Sequence, residues 1–270
     1  MPELPEVETT VRGLRPVLEG ARIERVELRR ADLRRPFPEG LGQALTGARV
    51  TVLDRRAKYG IVRTDRGDSM IFHLGMSGRW RIDPEELGAH DHLVLTTDAG
   101  RRLALNDPRR FGSVDLVRSD AEAAFAGFEE MGPEPLPTVE VRELRERLAG
   151  KSVAIKLALL DQRTIAGLGN IYVCEALYRA GIAPGRKAGK VSAARLARLA
   201  ETIPAVLEEA IAAGGSTLRD YARPDGELGY FSKQFDVYGR EGEECRGCGA
   251  PVRRRVQGGR STFYCPTCQR

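Results

Sequence analysis

Four cysteines near the C-terminus have the spacing of a metal site. Cys245 and Cys248 form one Cys-x-x-Cys pair, Cys265 and Cys268 form a second, and 16 residues separate the two pairs. This arrangement is typical of a closed tetrahedral zinc site. Two disulfides would use the same residues, but the N-terminus does not resemble a secretory signal and such pairs close poorly as structural bridges. The spacing therefore predicts one structural Zn²⁺ ion.

The segment between the two cysteine pairs is basic. It contains Arg253, Arg254, Arg255 and Arg260, with two glycines directly before the last arginine. A metal-held hairpin that carries four guanidinium groups is suited to the phosphates of a DNA duplex. The spacing alone leaves a purely structural or a protein-binding finger open, because zinc by itself implies only local folding.

The composition places few limits on function. The chain has 270 residues, with 43 Lys plus Arg against 38 Asp plus Glu and a net charge of +5. This length can bury one substantial core and leaves room for a second. No stretch is apolar over the length that a bilayer requires, and no repeat or low-complexity block is present. We expect a soluble intracellular protein whose small positive excess is compatible with a polyanionic partner.

The first half of the chain is β-rich. Alternating apolar runs are separated by turn residues, as in Asp-Arg-Gly-Asp at 65–68 and Asp-Ala-Gly at 98–100. This pattern is typical of antiparallel strands in a sandwich or barrel. The predicted strands cover residues 22–30, 49–53, 60–64, 69–74, 93–97 and 102–105.

A short amphipathic helix precedes the strands. Acidic residues in its first turn and Gly20 at its end are typical of helix termini. Pro16 is expected to kink or shorten it. Its apolar face consists of Val7, Val11, Leu14 and Leu18.

The pattern becomes helical after a proline-rich hinge at 132–137. A helical stretch at 153–160 is interrupted by the glycine-containing segment 164–170, and the helical pattern resumes up to residue 179. The resumed helix begins at Asn170, where exposed backbone N–H groups could bind a phosphate. Taken alone this is a helix hairpin, and Cys174 within it is expected to be a buried thiol. A second helix begins at Ser192 and ends at Gly214-Gly215, with an apolar stripe of Leu196, Leu199, Ile203, Leu207 and Ile211.

Five motifs, together with the cysteine finger, resemble the formamidopyrimidine-DNA glycosylase family, and the resemblance covers essentially the whole chain. The motifs are MPELPEVE at 1–8, RAKY at 56–59, HLGMSG at 73–78, DPRRFG at 107–112 and GLGNIY at 167–172. The resemblance implies an α+β fold in three parts. These are an N-terminal antiparallel β-sandwich (1–131), a helix-two-turns-helix domain (132–222), and a lid segment with a C-terminal β-hairpin zinc finger (223–270).

The resemblance also implies a catalytic set. The family excises oxidised purines such as 8-oxoguanine and formamidopyrimidines from double-stranded DNA and then cleaves the strand by β,δ-elimination. Pro2, freed by removal of Met1, would be the nucleophile, and Glu3 the general acid, although Glu3 could instead only complement the helix terminus. Lys58 matches the lysine of the β-elimination step. Arg260 matches the arginine of δ-elimination, for which charge stabilisation and phosphate positioning are the physically safer role.

DNA-contacting residues follow from the same resemblance. Met76, Arg109 and Phe111 match the wedge that fills the gap left by a flipped base, although Met76 and Phe111 would more often be core residues. Segment 214–217 leading to 225–230 resembles a loop that closes over the extruded base. The residues expected to contact DNA also include His90, Lys151, Lys156 and Asn170, of which His90 and Lys151 could equally be ordinary surface residues.

Two rival functions stay open. An endonuclease VIII-like glycosylase would act on oxidised pyrimidines, but the Pro-Glu-Leu-Pro-Glu opening and the intact wedge favour the purine branch. A non-catalytic, zinc-dependent DNA-damage-binding protein would not need the retained Pro2, Glu3 and Lys58. The resemblance predicts a bacterial-type cytoplasmic monomer, associated with the nucleoid through DNA.

Overall fold

The computed structural model describes residues 1–216 and 222–270. The chain divides into two compact units. Unit 1 comprises Met1–Glu129 and Ala213–Tyr230, and unit 2 comprises Glu130–Ala212 and Phe231–Arg270. The chain therefore passes from unit 1 to unit 2, returns to unit 1 for a short segment, and ends in unit 2. Among the described residues, no helix is both long and apolar enough to cross a membrane.

In its described residues, unit 1 contains two four-stranded antiparallel sheets, which confirms the predicted β-sandwich type. One sheet has the order β1-β6-β7-β5 and the other β2-β3-β4-β8. The strands are β1 (Ile23–Leu28), β2 (Val50–Arg56), β3 (Tyr59–Thr64), β4 (Asp68–His73), β5 (Arg79–Ile82), β6 (Asp91–Thr97), β7 (Arg102–Asn106) and β8 (Ser113–Arg118). The six predicted strands are present, while β5 and β8 were not anticipated.

Helix α1 (Leu4–Leu18) packs its predicted apolar face into the core of unit 1. It continues two residues beyond Pro16, because a proline in the last turn removes only one backbone N–H donor. The same core contains strand residues of both sheets, including the edge-to-face pair of Phe72 and the single tryptophan, Trp80. A short helix, α2 (Leu41–Leu45), also contributes to it.

Unit 2 contains four helices and the finger hairpin. They are α3 (Val141–Leu148), α4 (Ile155–Leu160), α5 (Asn170–Arg179), α6 (Ala193–Ala212), β9 (Arg253–Gln257) and β10 (Arg260–Tyr264). Helices α4 and α5 are the predicted helix hairpin. The predicted apolar stripe of α6 is buried. Two glycines with positive φ, 77° and 83°, follow the end of α6, as expected for a helix C-terminus. Unit 2 also has short 3₁₀ segments at Ala188–Lys190 and Phe231–Gln234, and another, Ser119–Ala124, lies in unit 1.

The proline-rich segment at 132–137 is neither helix nor strand, as predicted. It is nevertheless anchored within unit 2. The Gly132 N–H donates to the Gln162 carbonyl at 2.8 Å, and the Ala166 N–H donates to the Pro133 carbonyl at 3.0 Å. A Cβ on Gly132 would lie 2.7 Å from the Arg163 carbonyl oxygen, so this close approach requires glycine.

Candidate functional site

The N-terminus of unit 1 is fixed by one buried carboxylate. Pro2 and Glu3 are both buried, and Glu3 is the N-cap of α1. The Glu3 N–H donates to Glu6 Oε2 at 2.8 Å, while Glu6 Oε1 accepts from the Ser216 N–H at 2.8 Å and its hydroxyl at 2.9 Å. Glu6 therefore connects the start of the chain to Ser216 through hydrogen bonds. No role was predicted for Glu6 from the sequence, although its position three residues after Glu3 is that of a capping box.

Lys58 lies in the tight turn between β2 and β3. The flanking residues Arg56 and Tyr59 pair directly, and Ala57 has a φ of 53°. The Lys58 side chain is largely buried. This turn holds the ammonium group at the end of the sheet, close to the end of β4, where His73 pairs with Tyr59.

His73 lies at the same end of the sheet as Lys58. Unlike Lys58, it had no role predicted from the sequence. Its ring centroid lies 4.8 Å from that of Tyr59. Burial, and after it the charges of Lys58 and Arg34, lowers the pKa of His73 to about 4. The ring is therefore neutral at pH 7. Its Nδ1 accepts the Gly75 N–H at 3.0 Å, which places the proton on Nε2 and makes that atom a donor.

The predicted wedge residues lie on two loops of unit 1. Phe111 is 45% exposed, so it does not belong to the core, and Met76 is half-buried. The Arg109 guanidinium lies over the Phe111 ring, 4.9 Å from its centroid. This cation–π contact holds an arginine and an aromatic ring together at the surface.

Asp107 fixes the two wedge loops. It is fully buried, and its Oδ1 accepts the Ser77 hydroxyl at 2.6 Å while Oδ2 accepts the Gly112 N–H at 2.8 Å. The Ser77 hydroxyl oxygen also accepts the Arg109 N–H at 3.2 Å. Gly75, with a φ of 60°, lies so close to Phe111 that a Cβ would meet its carbonyl carbon at 2.3 Å. The loops therefore behave as one element.

In unit 2, two predicted DNA-contacting residues bond to strand β10. Lys156 is 0% exposed, and its Nζ donates to the Ser261 carbonyl at 3.0 Å and to Thr262 Oγ1 at 2.7 Å. Asn170, the first residue of α5, donates from Nδ2 to the same Ser261 carbonyl at 2.9 Å. Both side chains thus position the finger hairpin.

The other two predicted contact residues are more accessible. Lys151 is half-buried, and its Nζ donates to Thr164 Oγ1 at 2.9 Å. His90, in unit 1, is exposed, with its ring centroid 6.3 Å from that of His92.

The four finger cysteines form a metal site. Their sulfurs all lie within 4.8 Å of one another, with 3.8 Å between Cys245 and Cys268 and 3.5 Å between Cys248 and Cys265. A tetrahedron with Zn–S bonds of about 2.3 Å has edges of about 3.8 Å, so the site fits Zn²⁺. The finger is a one-zinc structural site, as predicted. Cys174 is buried on α5 and packs in the same cluster, which confirms the expectation for the fifth cysteine.

The finger hairpin presents the predicted arginines. Gly258 and Gly259, both with positive φ, form the two-residue turn between β9 and β10. Arg260 directly follows this turn and is exposed, as are Arg253 and Arg254. The half-buried Arg255 lies over the Tyr264 ring at 5.0 Å.

The predicted lid segment is described in part. Residue 217 and the four that follow it lie outside the described residues. The Tyr230 N–H donates to the Ala213 carbonyl at 3.0 Å, and the Arg223 N–H donates to the Glu227 carbonyl at 2.8 Å. Leu228 and Tyr230 are both about half exposed.

The predicted site residues are distributed over both units. Those brought together within unit 1 are Pro2 with Glu3, and Met76 with Arg109 and Phe111. Within unit 2, the side chains of Lys156 and Asn170 both donate hydrogen bonds to the Ser261 carbonyl on β10. The cysteines converge as predicted.

Three family models match consecutive parts of the chain. They are the formamidopyrimidine-DNA glycosylase N-terminal domain over residues 1–114, the formamidopyrimidine-DNA glycosylase H2TH domain over 131–222, and the zinc finger found in FPG and IleRS over 242–270. Proteins named formamidopyrimidine-DNA glycosylase from Rhizorhabdus wittichii and Novosphingobium aromaticivorans are 68% and 67% identical, with all of both chains covered.

Solved structures agree with these matches. The crystal structure of MutM (FPG) from Thermus thermophilus is 39% identical with a TM-score of 0.87, covering 99% of this chain and 98% of that one. A Lactococcus lactis FPG mutant in complex with a Fapy-dG-containing DNA is 34% identical with a TM-score of 0.92, and both chains are fully covered. The Lactococcus lactis protein was also solved with an abasic-site DNA. This chain therefore belongs to the formamidopyrimidine-DNA glycosylase family.

Proposed function

We propose that this protein is a bifunctional base-excision repair enzyme, a DNA glycosylase and AP lyase that removes oxidised purines from double-stranded DNA. The observation that carries the proposal is the buried Pro2-Glu3 start, held by Glu6, in a chain that matches named relatives over its whole length. The DNA-bound Lactococcus lactis structures support a damaged or abasic duplex as partner.

The proposed nucleophile is the secondary amine of Pro2, which becomes available when Met1 is removed. An α-amino group has an ordinary pKa of about 8, so a useful fraction is neutral at cellular pH. Its nitrogen attacks sugar C1′, and the damaged base leaves with the electron pair of the glycosidic bond. The sugar ring opens at O4′, leaving an iminium ion between Pro2 and C1′.

The iminium ion also drives strand cleavage. It withdraws electrons from C2′, so a C2′ proton is lost and the 3′-phosphate leaves in the β-elimination. A second elimination then expels the 5′-phosphate. We assign Glu3 as the general acid for the base or O4′, Lys58 to the β-elimination, and Arg260 to charge stabilisation of the departing phosphate. Both Glu3 and Lys58 are buried, and buried ionisable groups are common at catalytic sites, where the environment adjusts their pKa values to the reaction.

Base flipping is assigned to the wedge of Met76, Arg109 and Phe111. A base inside a duplex cannot be reached by a nucleophile, so it must be rotated out and its place filled. The exposed Phe111 ring can enter the stack, while Arg109, already stacked on it, can donate hydrogen bonds to the unpaired base.

Phosphate binding is assigned to His90, Arg109, Lys151, Lys156 and Asn170. For Lys156 and Asn170 the observed bonds to β10 support an indirect part, in which they hold the finger in its DNA-binding form. We further propose domain limits of 1–131, 132–222 and 223–270, and association with the bacterial nucleoid through DNA.

A covalent trapping experiment tests the proposed function. The protein is incubated with borohydride and a duplex containing 8-oxoguanine opposite cytosine, and intact mass gives both the adduct and the state of the N-terminus. The proposal expects an adduct on Pro2 in chains that lack Met1. Full activity in chains that retain Met1 or are acetylated at the N-terminus would overturn it.

Two further outcomes decide between the rival functions. Tight binding to damaged DNA without any adduct would support the non-catalytic damage-binding protein. More rapid trapping with thymine glycol than with 8-oxoguanine would support the endonuclease VIII-like branch.

A further inference from the structure

The last turn of α5 contacts the metal site. Tyr178 lies one residue before the end of this helix, and its hydroxyl oxygen is 3.2 Å from Cys245 Sγ. The ring packs on the apolar cluster that surrounds the finger cysteines. Tyr178 is therefore a side chain outside the finger that reaches one of its metal ligands.

We propose that Tyr178 is a positioning residue for the structural zinc ion, donating a hydrogen bond from its hydroxyl to the Cys245 thiolate. A cysteine that binds Zn²⁺ is deprotonated, so its sulfur can only accept. The neutral phenol has one proton to donate. Partners of this kind orient metal ligands and reduce their tendency to dissociate.

The finger leaves room for this hydroxyl at Gly247. A Cβ at that position would lie 2.9 Å from the Tyr178 hydroxyl oxygen, but only in ordinary contact with Cys268 Sγ and Cys245 Sγ, at 3.7 and 3.9 Å. A side chain at 247 would thus displace the tyrosine hydroxyl before it disturbed the sulfurs. Gly247 carries no positive φ, so the backbone itself accepts alanine.

Helix α5 holds the finger side of unit 2 at a second place. The buried Glu175 carboxylate accepts the N–H groups of Asp236, Val237 and Tyr238, at 2.9, 3.0 and 2.8 Å. These residues lead into the finger. The Tyr178 hydrogen bond adds a second attachment, from α5 to the metal ligand Cys245. Retention of zinc should therefore depend on a residue of helix α5.

The first measurement is zinc loss. Holoprotein of wild type, Tyr178→Phe and the control Tyr264→Phe is mixed with a chromophoric chelator, and release is followed over time. Tyr264 is a finger tyrosine whose described contact is with Arg255, not with a cysteine. We expect Tyr178→Phe to lose zinc about tenfold faster, at the lower end of the effect of outer-sphere partners, and Tyr264→Phe to match the wild type.

The second measurement separates the hydrogen bond from ring packing, which phenylalanine retains. In Co²⁺-substituted protein, loss of a hydrogen bond to a thiolate raises the energy of its lone pairs and moves the sulfur-to-cobalt charge-transfer band to longer wavelength. We expect this shift in Tyr178→Phe and in Gly247→Ala, but not in Tyr264→Phe. An unshifted band in both test variants, or wild-type zinc release by Tyr178→Phe, would overturn the proposal.

Discussion

Glu6 illustrates how a single residue can serve both fold and chemistry. One of its oxygens accepts from the Glu3 backbone beside the proposed nucleophile, and the other accepts two hydrogen bonds from Ser216. The carboxylate is 2% exposed. Its hydrogen bonds therefore fix the N-terminus against a partner that lies 210 positions along the chain.

Replacing Glu6 by glutamine should impair catalysis more than binding. The amide nitrogen cannot accept a hydrogen bond, so either the Glu3 N–H or the Ser216 groups lose their partner. We expect single-turnover excision of 8-oxoguanine to slow by roughly 10- to 100-fold, as for a misplaced reacting group, with duplex affinity changed little. Glu19→Gln, at the exposed end of α1, is the control, and equal effects of the two variants would contradict this role.

His73 should make folding stability depend on pH. Its folded pKa of about 4 lies below the ordinary value of 6.5, so between these pH values the unfolded chain binds a proton that the folded chain does not. Stability due to this group is present above pH 6.5 and is lost as the pH falls. We expect the free energy of unfolding of wild type to fall by about 2 kcal/mol more than that of His73→Gln between pH 7 and pH 5 in urea titrations. Parallel changes in wild type and His73→Gln over this pH range would contradict this role.

The role of a single residue could be predicted where the spacing of residues in the sequence is enough to determine it. The cysteine pairs specified a zinc site because ligand number and spacing suffice for it. The burial of Lys156 was not predictable, because its two bonds are to residues 105 and 106 positions away. The family resemblance implies DNA binding for Lys156, and only the tertiary contact shows that its side chain also holds a strand.

Among the elements, the two wedge loops depend on each other through Asp107. Neither loop is helix or strand. One carboxylate oxygen of Asp107 accepts a hydrogen bond from Ser77 in the first loop, and the other accepts one from Gly112 in the second. The proposed role of these loops requires that they resist being pushed back by stacked bases, and the shared buried carboxylate is suited to provide this stiffness.

Asp107→Asn should loosen the wedge. The amide keeps one acceptor, so one of the two loop donors is left without a partner, at a cost of about 1–3 kcal/mol in the free energy of unfolding. We expect excision from duplex DNA to fall more than cleavage of a single-stranded abasic site, where no stacked base must be displaced. Asp98→Asn, at an exposed turn, controls for charge removal, and an equal loss on both substrates would contradict the wedge role.

Strand prediction succeeded where alternation was regular. The four-residue strand β5 was not predicted, because its Arg-Trp-Arg-Ile sequence is too short to show a periodic pattern. Its Trp80 is nevertheless a residue of the hydrophobic core. β8 follows the wedge loop directly, and its last four residues are not buried, which removes the alternation. Pairing with β7 and β4, a tertiary property, defines these strands.

For the whole molecule, the single tryptophan gives a selective reporter. Trp80 is buried in the core of unit 1, so its emission reports on the packing of that core. Cys265→Ser should lose zinc and, with it, DNA binding, because the metal supplies the folding energy of such fingers. We expect the Trp80 emission maximum to stay at its wild-type position. Retained DNA affinity would show that the finger is dispensable for binding.

DNA binding should also depend strongly on salt. If four to six phosphates are neutralised, the plot of log affinity against log salt concentration should have a slope of about −4 to −5. Arg260→Ala should reduce the magnitude of this slope by about 1. Arg142→Ala, on the exposed face of α3, should leave it unchanged, and a slope near zero for the wild type would contradict polyanion binding.

The return of residues 213–230 to unit 1 has a consequence for biosynthesis. A ribosome releases the whole β-sandwich sequence long before Ser216 emerges, so during that interval Glu6 lacks its two hydrogen bonds from Ser216. Helices α3 to α6 are synthesised meanwhile and can form from local contacts. We therefore expect nascent chains arrested before residue 216 to have an N-terminus that proteases can digest, with protection acquired only after that segment has left the exit tunnel.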